Sequence, residues 1–137
     1  MKFSILTLLP EIYESLNYSV IGRAIANNLI NISVCNIRNY SIDKHKKCDD
    51  VPFGGGAGMV MMIEPVYKAI EKLRSERHYD EIIYTSPDGQ KLTQKLANEL
   101  SLKENLIILA GHYKGIDQRI RDHLVTKEIS IGDYVLS

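Results

Sequence analysis

The chain has 137 residues, of which 45% are hydrophobic and 25% charged, proportions typical of a globular domain long enough to bury a core. Because 17 basic side chains balance 17 acidic ones, no overall field draws it to nucleic acid or to an acidic membrane, and any nucleic-acid contact has to come from a local patch. The two cysteines, Cys35 and Cys48, fit neither a paired metal spacing nor a disulfide framework, which predicts a reducing compartment and no structural metal.

The first predicted element is a β-strand, Phe3–Leu8, in the opening MKFSILTLLP. Ser4 and Thr7 interrupt its apolar run and no small-residue cleavage site follows, so a strand is favoured over a signal peptide. No other stretch approaches the length of a membrane span, and we therefore expect a cytoplasmic protein without a membrane partner.

Strand patterns and helix patterns alternate along the rest of the chain. The predicted strands are Ile32–Ile37, Glu81–Thr85, Leu106–Ala110 and Glu128–Ile131, and the predicted helices are Pro65–Arg77, Thr93–Leu102 and Ile116–Leu124. In the first of these helices Val66, Ile70 and Leu73 share one face. The alternation predicts βαβ units, and hence an α/β fold with a mostly parallel sheet whose sites lie at the carboxyl ends of the strands.

Three polar turns containing glycine follow predicted strands. They are SPDG at 86–89, GHYKG at 111–115 and GDY at 132–134. Each one alone could be only a tight connection between two elements. Because the carboxyl ends of parallel strands meet at one edge of a sheet, the three together favour a shared ligand pocket.

The segment Arg38–Ala57 has no clear periodicity, which is unusual for so long a stretch of a compact domain and often functional. Its basic cluster DKHKK, at 43–47, is either a solvated loop face or a local patch for a phosphate backbone. The glycine-rich stretch GGGAG at 54–58 is followed by MVMM rather than by the lysine and hydroxyl of a nucleotide-binding P-loop, which excludes that class. A dinucleotide-binding fingerprint is excluded too, because the stretch does not directly follow a strand.

Four motifs, in this order and spacing, resemble those of the bacterial tRNA (guanine-N1)-methyltransferases of the SPOUT superfamily. They are PFGGGAGMVM, YTSPDGQKLTQ, LAGHYKGIDQRI and ISIGDYVLS, and the resemblance begins earlier, with LLPEIYES and IGRAI. It covers essentially the whole chain. It implies a single α/β methyltransferase domain over residues 1–137, with a mostly parallel sheet, helices on both faces and a C-terminal trefoil knot, a rare exception to unknotted chains.

The activity implied by the resemblance is transfer of a methyl group from S-adenosylmethionine to N1 of the guanosine immediately 3′ of a tRNA anticodon. The implied assembly is a homodimer with active sites at the subunit interface, where the glycine-rich loop of one chain helps to cover the site formed with the other. The alternative is a non-catalytic RNA- or protein-binding module that kept the scaffold and lost the chemistry. Whether magnesium assists the reaction is left open.

Matching motif by motif, the resemblance also implies the residues that hold the cofactor. They are Tyr84, Ser86, Pro87, Gly111, Tyr113, Ile131, Gly132, Asp133, Tyr134, Val135 and Leu136. The glycines among them let a flat adenine lie close to the main chain. Family members often carry glutamate where this sequence has Lys114, which either contacts a cofactor carboxylate or tRNA phosphate or points to solvent.

Residues expected to contact the tRNA lie mostly in the irregular segment. Those expected near the target guanosine are Asp49, Asp50, Gly55, Gly56, Gly58 and His45, and those expected at phosphates or the stem are Arg23, Lys44, His45 and Lys47. Each of the two aspartates could equally cap a turn. The target base is expected to leave its stack to reach the pocket.

The implied chemistry needs two groups that no motif of this chain supplies. Guanine N1 carries a proton and is a poor nucleophile until that proton is lost, so a general base has to lie within hydrogen-bond reach. A cation or donor near O6 has to stabilise the charge that develops there. In the family a carboxylate and an arginine beyond the last motif take these roles, so both are expected after Ser137. We therefore expect an N-terminal part that is inactive alone, lacks the C-terminal tRNA-binding domain and has an incomplete knot.

Overall fold

The computed structural model describes residues 1–50, 60–111 and 115–132, except for the side chain of Asp50. In this part of the chain the strands are β1 (Lys2–Thr7), β2 (Asn31–Asn36), β3 (Asp49–Asp50), β4 (Val60–Met61), β5 (Glu81–Lys91), β6 (Asn105–Leu109) and β7 (Lys127–Ser130). The α-helices are α1 (Val20–Ala26), α2 (Ile63–Glu76), α3 (Gln94–Ser101) and α4 (Gln118–His123), and two 3₁₀ helices span Pro10–Tyr18 and Ile37–Tyr40. None of the helices in the described ranges is long and apolar enough to cross a membrane.

Five of the strands form one sheet in the order β2-β1-β6-β5-β7. Every neighbouring pair in it is parallel, which confirms the predicted parallel sheet. Because β6, β5 and β7 are adjacent and point the same way, the segments that follow them are neighbours at one edge of the sheet.

Helices cover both faces of this sheet, as predicted. Alternate residues of a strand point to opposite faces, and Ile82 and Ile83 of β5 accordingly enter two different core clusters. Ile82 packs in the larger cluster, to which α2 contributes Ile70 and α4 contributes Ile120. Ile83 packs in the smaller cluster with Leu96 of α3. Helices therefore cover the sheet on both faces beneath the edge at which the site is predicted.

The longest helix, α2, follows β4 directly and forms as its pattern predicts. Val66, Ile70 and Leu73 are buried on its inner face. Pro65 stands in the first turn, where its missing N–H has no partner to lose. These contacts fix the carboxyl end of β4, and with it one end of the undescribed segment 51–59.

Two helical segments near the N-terminus were not predicted. The 3₁₀ helix Pro10–Tyr18 and α1 bury none of their residues, and of their large apolar side chains Ile12, Val20 and Ile21 are exposed. Local hydrogen bonding defines α1 instead: Ser19 Oγ accepts from the backbone N–H of Ile21 at 3.2 Å, an N-cap that begins the helix.

The prediction that SPDG is a turn ending the third strand is wrong. The strand continues to Lys91, and Thr85 and Gln90 both pair with Ile129 of β7. The residues between them, 86–89, leave the ladder and return to it, and this stretch is called the β5 excursion below. The return requires glycine, because a Cβ atom at Gly89 would lie 2.6 Å from the carbonyl carbon of Glu128.

Candidate active site

The ends of β5 and β6 meet at a contact between an aromatic ring and a glycine. Tyr84 and Ser86, at the end of the first part of β5, are both buried. A Cβ atom at Gly111, just after β6, would lie 2.8 Å from Cε1 and 3.2 Å from the hydroxyl of Tyr84. Burial raises the pKa of Tyr84, so the phenol is neutral at physiological pH. The structure thus brings the first part of β5 against the start of the predicted turn after β6.

The third turn is tied to the end of β5. Ser130 Oγ accepts from the N–H of Gly132 at 3.2 Å and donates to the carbonyl oxygen of the same residue at 2.5 Å. The N–H of Leu92 donates to the carbonyl oxygen of Ser130 at 2.7 Å. Gly132 is buried, whereas Ile131 is exposed, and so is Pro87 in the β5 excursion. The remaining predicted cofactor residues lie outside the described residues; they are Tyr113, Asp133, Tyr134, Val135 and Leu136. Lys114 lies outside them as well.

Arg121 of α4 links β5 to β7 and was not predicted. Its Nη2 lies 2.7 Å and its Nε 3.2 Å from Oε1 of Glu128, and Nη2 also lies 3.4 Å from Oγ of Ser86. Its guanidinium carbon lies 5.5 Å from the centre of the Tyr84 ring. The hydrogen bond to Glu128 raises the pKa of Arg121 further above its ordinary value. The only sequence signal for this residue is a weak one, an arginine on the predicted helix between two motifs. Its contact with Glu128 arises from the way α4 crosses the sheet, which no local pattern predicts.

The glycine-rich segment is held at both ends. β3 and β4 form an antiparallel pair in which Asp49 lies opposite Met61 and Asp50 opposite Val60. The segment between them, with Gly55, Gly56 and Gly58, lies outside the described residues. The N–H of Met61 donates to the carbonyl oxygen of Gly115 at 2.9 Å, and the N–H of Asp117 donates to the carbonyl oxygen of Met61 at 3.0 Å. One hydrogen-bonded unit therefore contains both ends of the undescribed segment 51–59 and the residue that follows the undescribed segment 112–114.

The basic cluster is an ordered loop built by its own polar groups. Oδ2 of Asp43 accepts from the N–H groups of His45 at 2.7 Å and Lys47 at 3.2 Å, and these bonds lower the pKa of Asp43. Ser41 Oγ donates to the carbonyl oxygen of Lys47 at 2.6 Å. Lys44, His45 and Lys47 are all exposed. A shallow cavity of about 490 Å³ separates this loop from the start of α2. The loop thus presents cations in a defined arrangement.

The other predicted residues lie in separate elements. Arg23 lies on the exposed surface of α1, and Asp49 is half-buried in β3. Both cysteines are free thiols, Cys48 buried and Cys35 half-buried, and burial raises the pKa of each. Within residues 1–50, 60–111 and 115–132, no three histidine, cysteine or acidic side chains lie close enough together to hold a metal ion.

A five-stranded parallel sheet with helices on both faces and polar segments at β5, β6 and β7 along one edge defines the class, a parallel α/β protein. Comparison with known families identifies the family within this class. The family described as tRNA (Guanine-1)-methyltransferase TrmD matches residues 1–137, and the chain belongs to that family.

Similar proteins agree with this assignment. The chain is 58% identical over 138 residues to the tRNA (guanine-N(1)-)-methyltransferase of Flavobacterium johnsoniae, with all of this chain and 61% of that protein covered. It is 57% identical over 138 residues to the protein of the same name from Porphyromonas gingivalis, with the same coverage of 100% and 61%. The crystal structure of tRNA (m1G37) methyltransferase from Aquifex aeolicus superposes with a TM-score of 0.90 at 36% identity, covering 100% of this chain and 62% of that one. The chain thus spans about 61% of the length of the curated relatives it matches.

Proposed function

We propose that this protein takes part in transferring a methyl group from S-adenosylmethionine to N1 of the guanosine immediately 3′ of a tRNA anticodon. The observation that carries the proposal is the packing of Gly111 on Tyr84 beside the buried Ser86, at the edge where three parallel strands end. Main chain, an aromatic wall and a hydroxyl together are what a flat adenosyl group requires. When bound, the cofactor supplies an electrophilic methyl group.

The chain's own residues would bind and orient that cofactor. Tyr84, Ser86 and Pro87 would come from β5, Gly111 and Tyr113 from the turn after β6, and the stretch 131–136 from the turn after β7. Gly111 fits this role, because it leaves the Tyr84 ring next to bare main chain. The arrangement would exclude water from one side of the adenosyl group while its methyl faces the guanine.

The tRNA would lie across the basic loop and the glycine-rich segment. Lys44, His45 and Lys47 are exposed on a loop whose shape Asp43 fixes, which suits contact with phosphates. Arg23 would add a further phosphate contact from α1. The side chains of Asp49 and Asp50 would accept hydrogen bonds from the guanine edge, with Gly55, Gly56 and Gly58 close to the base.

The proposal includes four further expectations that follow from family membership. The base for N1 and the donor for O6 would lie in the part of the relatives' length that this chain does not span, together with a tRNA-binding domain and the rest of a trefoil knot. The protein would act as a homodimer, with the glycine-rich segment of one subunit covering the site of the other. It would work in the cytoplasm. The fourth expectation, assistance by magnesium, is decided by running the methylation assay with and without the ion.

Titration calorimetry of the complete gene product with S-adenosylmethionine tests the cofactor assignment. A methylation assay tests the target, using one tRNA transcript with guanosine and a matched one with adenosine 3′ of the anticodon, and detecting 1-methylguanosine by mass spectrometry. We expect binding, and product only from the guanosine transcript. A non-catalytic binding module would retain tRNA without binding S-adenosylmethionine, and that result would contradict the proposal.

A further inference from the structure

Within the described residues, the Ser86 hydroxyl has two hydrogen-bond neighbours, and both are donors. The N–H of Asp88 lies 3.1 Å and Nη2 of Arg121 lies 3.4 Å from Oγ of Ser86. A backbone N–H and a guanidinium have no lone pair to accept with, and a hydroxyl has two lone pairs and one hydrogen. The two neighbours therefore occupy the acceptor capacity of Ser86, and its hydrogen has to point elsewhere. In the described part of the chain no acceptor for that hydrogen is found.

Arg121 is held in a fixed position by Glu128. Two of its nitrogens share Oε1 of Glu128, and the guanidinium lies against the Tyr84 ring at 5.5 Å. A planar guanidinium bound on several sides loses the freedom that a surface arginine has. Arg121 therefore donates to Ser86 Oγ from one fixed direction.

Glu128 also fixes the other end of the β5 excursion. Its main chain lies opposite Tyr84 in the ladder and directly against Gly89. The excursion thus starts at a hydroxyl tied to Glu128 through Arg121, and ends at a glycine packed on the backbone of Glu128. Because both ends of the β5 excursion are linked to Glu128, the excursion has a defined shape in the absence of ligand.

We propose that Arg121, held by Glu128, is a positioning residue that orients the Ser86 hydroxyl as a hydrogen-bond donor to an acceptor atom of the bound adenosyl group. The acceptor is an unprotonated ring nitrogen of the adenine or an oxygen of the ribose. The exocyclic amine of the adenine is excluded as the partner of the Ser86 hydroxyl, because the amine is itself a donor. The inference deepens the proposed function and rests on it for the identity of the ligand.

A double-mutant cycle tests whether Arg121 acts through Ser86. Titration calorimetry with S-adenosylmethionine is carried out on the complete gene product and on its Ser86→Ala, Arg121→Met and doubly substituted variants. We expect each single substitution to weaken binding about tenfold, as the loss of one well-placed hydrogen bond does. In the double variant most of the Arg121 effect should disappear. Fully additive losses, about a hundredfold together, would overturn the inference.

Two matched variants separate positioning from folding. Arg74→Met removes another helical arginine that is 3.5 Å from a carboxylate, Glu71, and we expect it to leave cofactor affinity unchanged. Arg121→Lys keeps the charge and one donor, and we expect it to recover part of the affinity that Arg121→Met loses. Equal losses in all three variants would overturn the inference. Glu128→Gln replaces Arg121→Met in the cycle if the latter does not fold.

A measurement without ligand tests the orientation of Ser86 directly. Hydrogen exchange of the Asp88 amide, which donates to Ser86 Oγ, should be faster in Arg121→Met than in the unaltered protein. The Leu96 amide, which donates to Thr93 Oγ1 on α3, is the internal control and should not change. Unchanged exchange at Asp88 overturns the inference even when cofactor affinity falls. Failure of the unaltered protein to bind S-adenosylmethionine contradicts the proposed function and the ligand half of the inference, and exchange at Asp88 then decides the positioning half.

Discussion

The main chain at Gly111 touches the ring of Tyr84 so closely that a Cβ atom there would lie 2.8 Å from Cε1 of the tyrosine. The ring has little room to yield, since Tyr84 is buried and Arg121 lies against it. This contact joins β5 to the turn after the neighbouring strand β6, so the position of that turn depends on the Tyr84 ring.

Gly111→Ala should therefore weaken cofactor binding more than it lowers stability. The added methyl has to displace the phenol or move the turn after β6, and we expect a stability loss of about 1–3 kcal/mol, typical of overpacking. Calorimetry with S-adenosylmethionine and urea unfolding provide the two readouts. Gly115→Ala is the matched control, because a Cβ atom at Gly115 meets no described atom within 4 Å. Equal effects of the two substitutions would contradict the prediction.

Gly89→Ala should disturb the β5 excursion through the backbone. A Cβ atom there would lie 2.6 Å from the nitrogen of Ile129, which cannot rotate away as a side chain can. We expect a larger loss of stability than for Gly111→Ala, together with faster hydrogen exchange at Leu92, whose N–H donates to Ser130 beyond the excursion. Urea unfolding and exchange measured by NMR check both effects. A stable variant with normal exchange would show that the excursion adapts.

Met61→Ala should loosen the hydrogen-bonded unit that joins β3 and β4 to the stretch 115–117. Met61 is fully buried, and its N–H and carbonyl oxygen both bond to the stretch 115–117. Loss of so large a buried side chain typically costs about 2–5 kcal/mol. Met62→Ala is the control, since Met62 is only half-buried and caps α2 with no side-chain hydrogen bond. Denaturant unfolding of the two variants should differ clearly, and a common midpoint would contradict the prediction.

Asp117→Asn should lower stability at neutral pH and have no effect in strong acid. Asp117 caps α4 and bonds Arg119 through both carboxylate oxygens, and the hydrogen bonds with Arg119 lower the pKa of Asp117. A carboxyl group whose pKa falls on folding stabilises the protein above its unfolded pKa, and loses this effect as the pH falls through the folded pKa. Asparagine keeps the cap but not the charge, so we expect a loss of about 1 kcal/mol or less at pH 7, because the arginine is largely exposed. Urea titrations at pH 7 and at a series of decreasing acidic pH values check that the difference between the two proteins shrinks as the pH falls through the folded pKa of Asp117. A difference that persists in acid would assign the effect to the cap instead.

The strands and long helices could be predicted because burial imposes a pattern on them. The core face of α2 repeats at helical spacing, and the sheet strands are short apolar runs that must be covered on both sides. The 3₁₀ helix Pro10–Tyr18 and α1 were not predicted, and they pack differently: they bury no residue, and Ile12, Val20 and Ile21 are exposed rather than directed into the core.

The candidate site could be predicted in its glycines and turns but not in its cross-connections. Turns can be predicted because local hydrogen bonds and local backbone geometry determine their residues, as the hydrogen bonds of Asp43 within its own loop illustrate. The contact of Arg121 with Glu128 and Ser86 depends on how α4 crosses from β6 over β5 to β7. The length of β5 depends on its pairing with β7, which also lies outside any local signal.

The ladder between β5 and β7 resumes at Ile129, the same residue at which it was interrupted. The β5 excursion therefore leaves the ladder and rejoins it at one level of the sheet, so that Ser86 at its start and Gly89 at its end face the same short stretch of β7. Ser86 and Pro87, which are proposed to contact the cofactor, are thus carried by a segment that the sheet anchors on both sides.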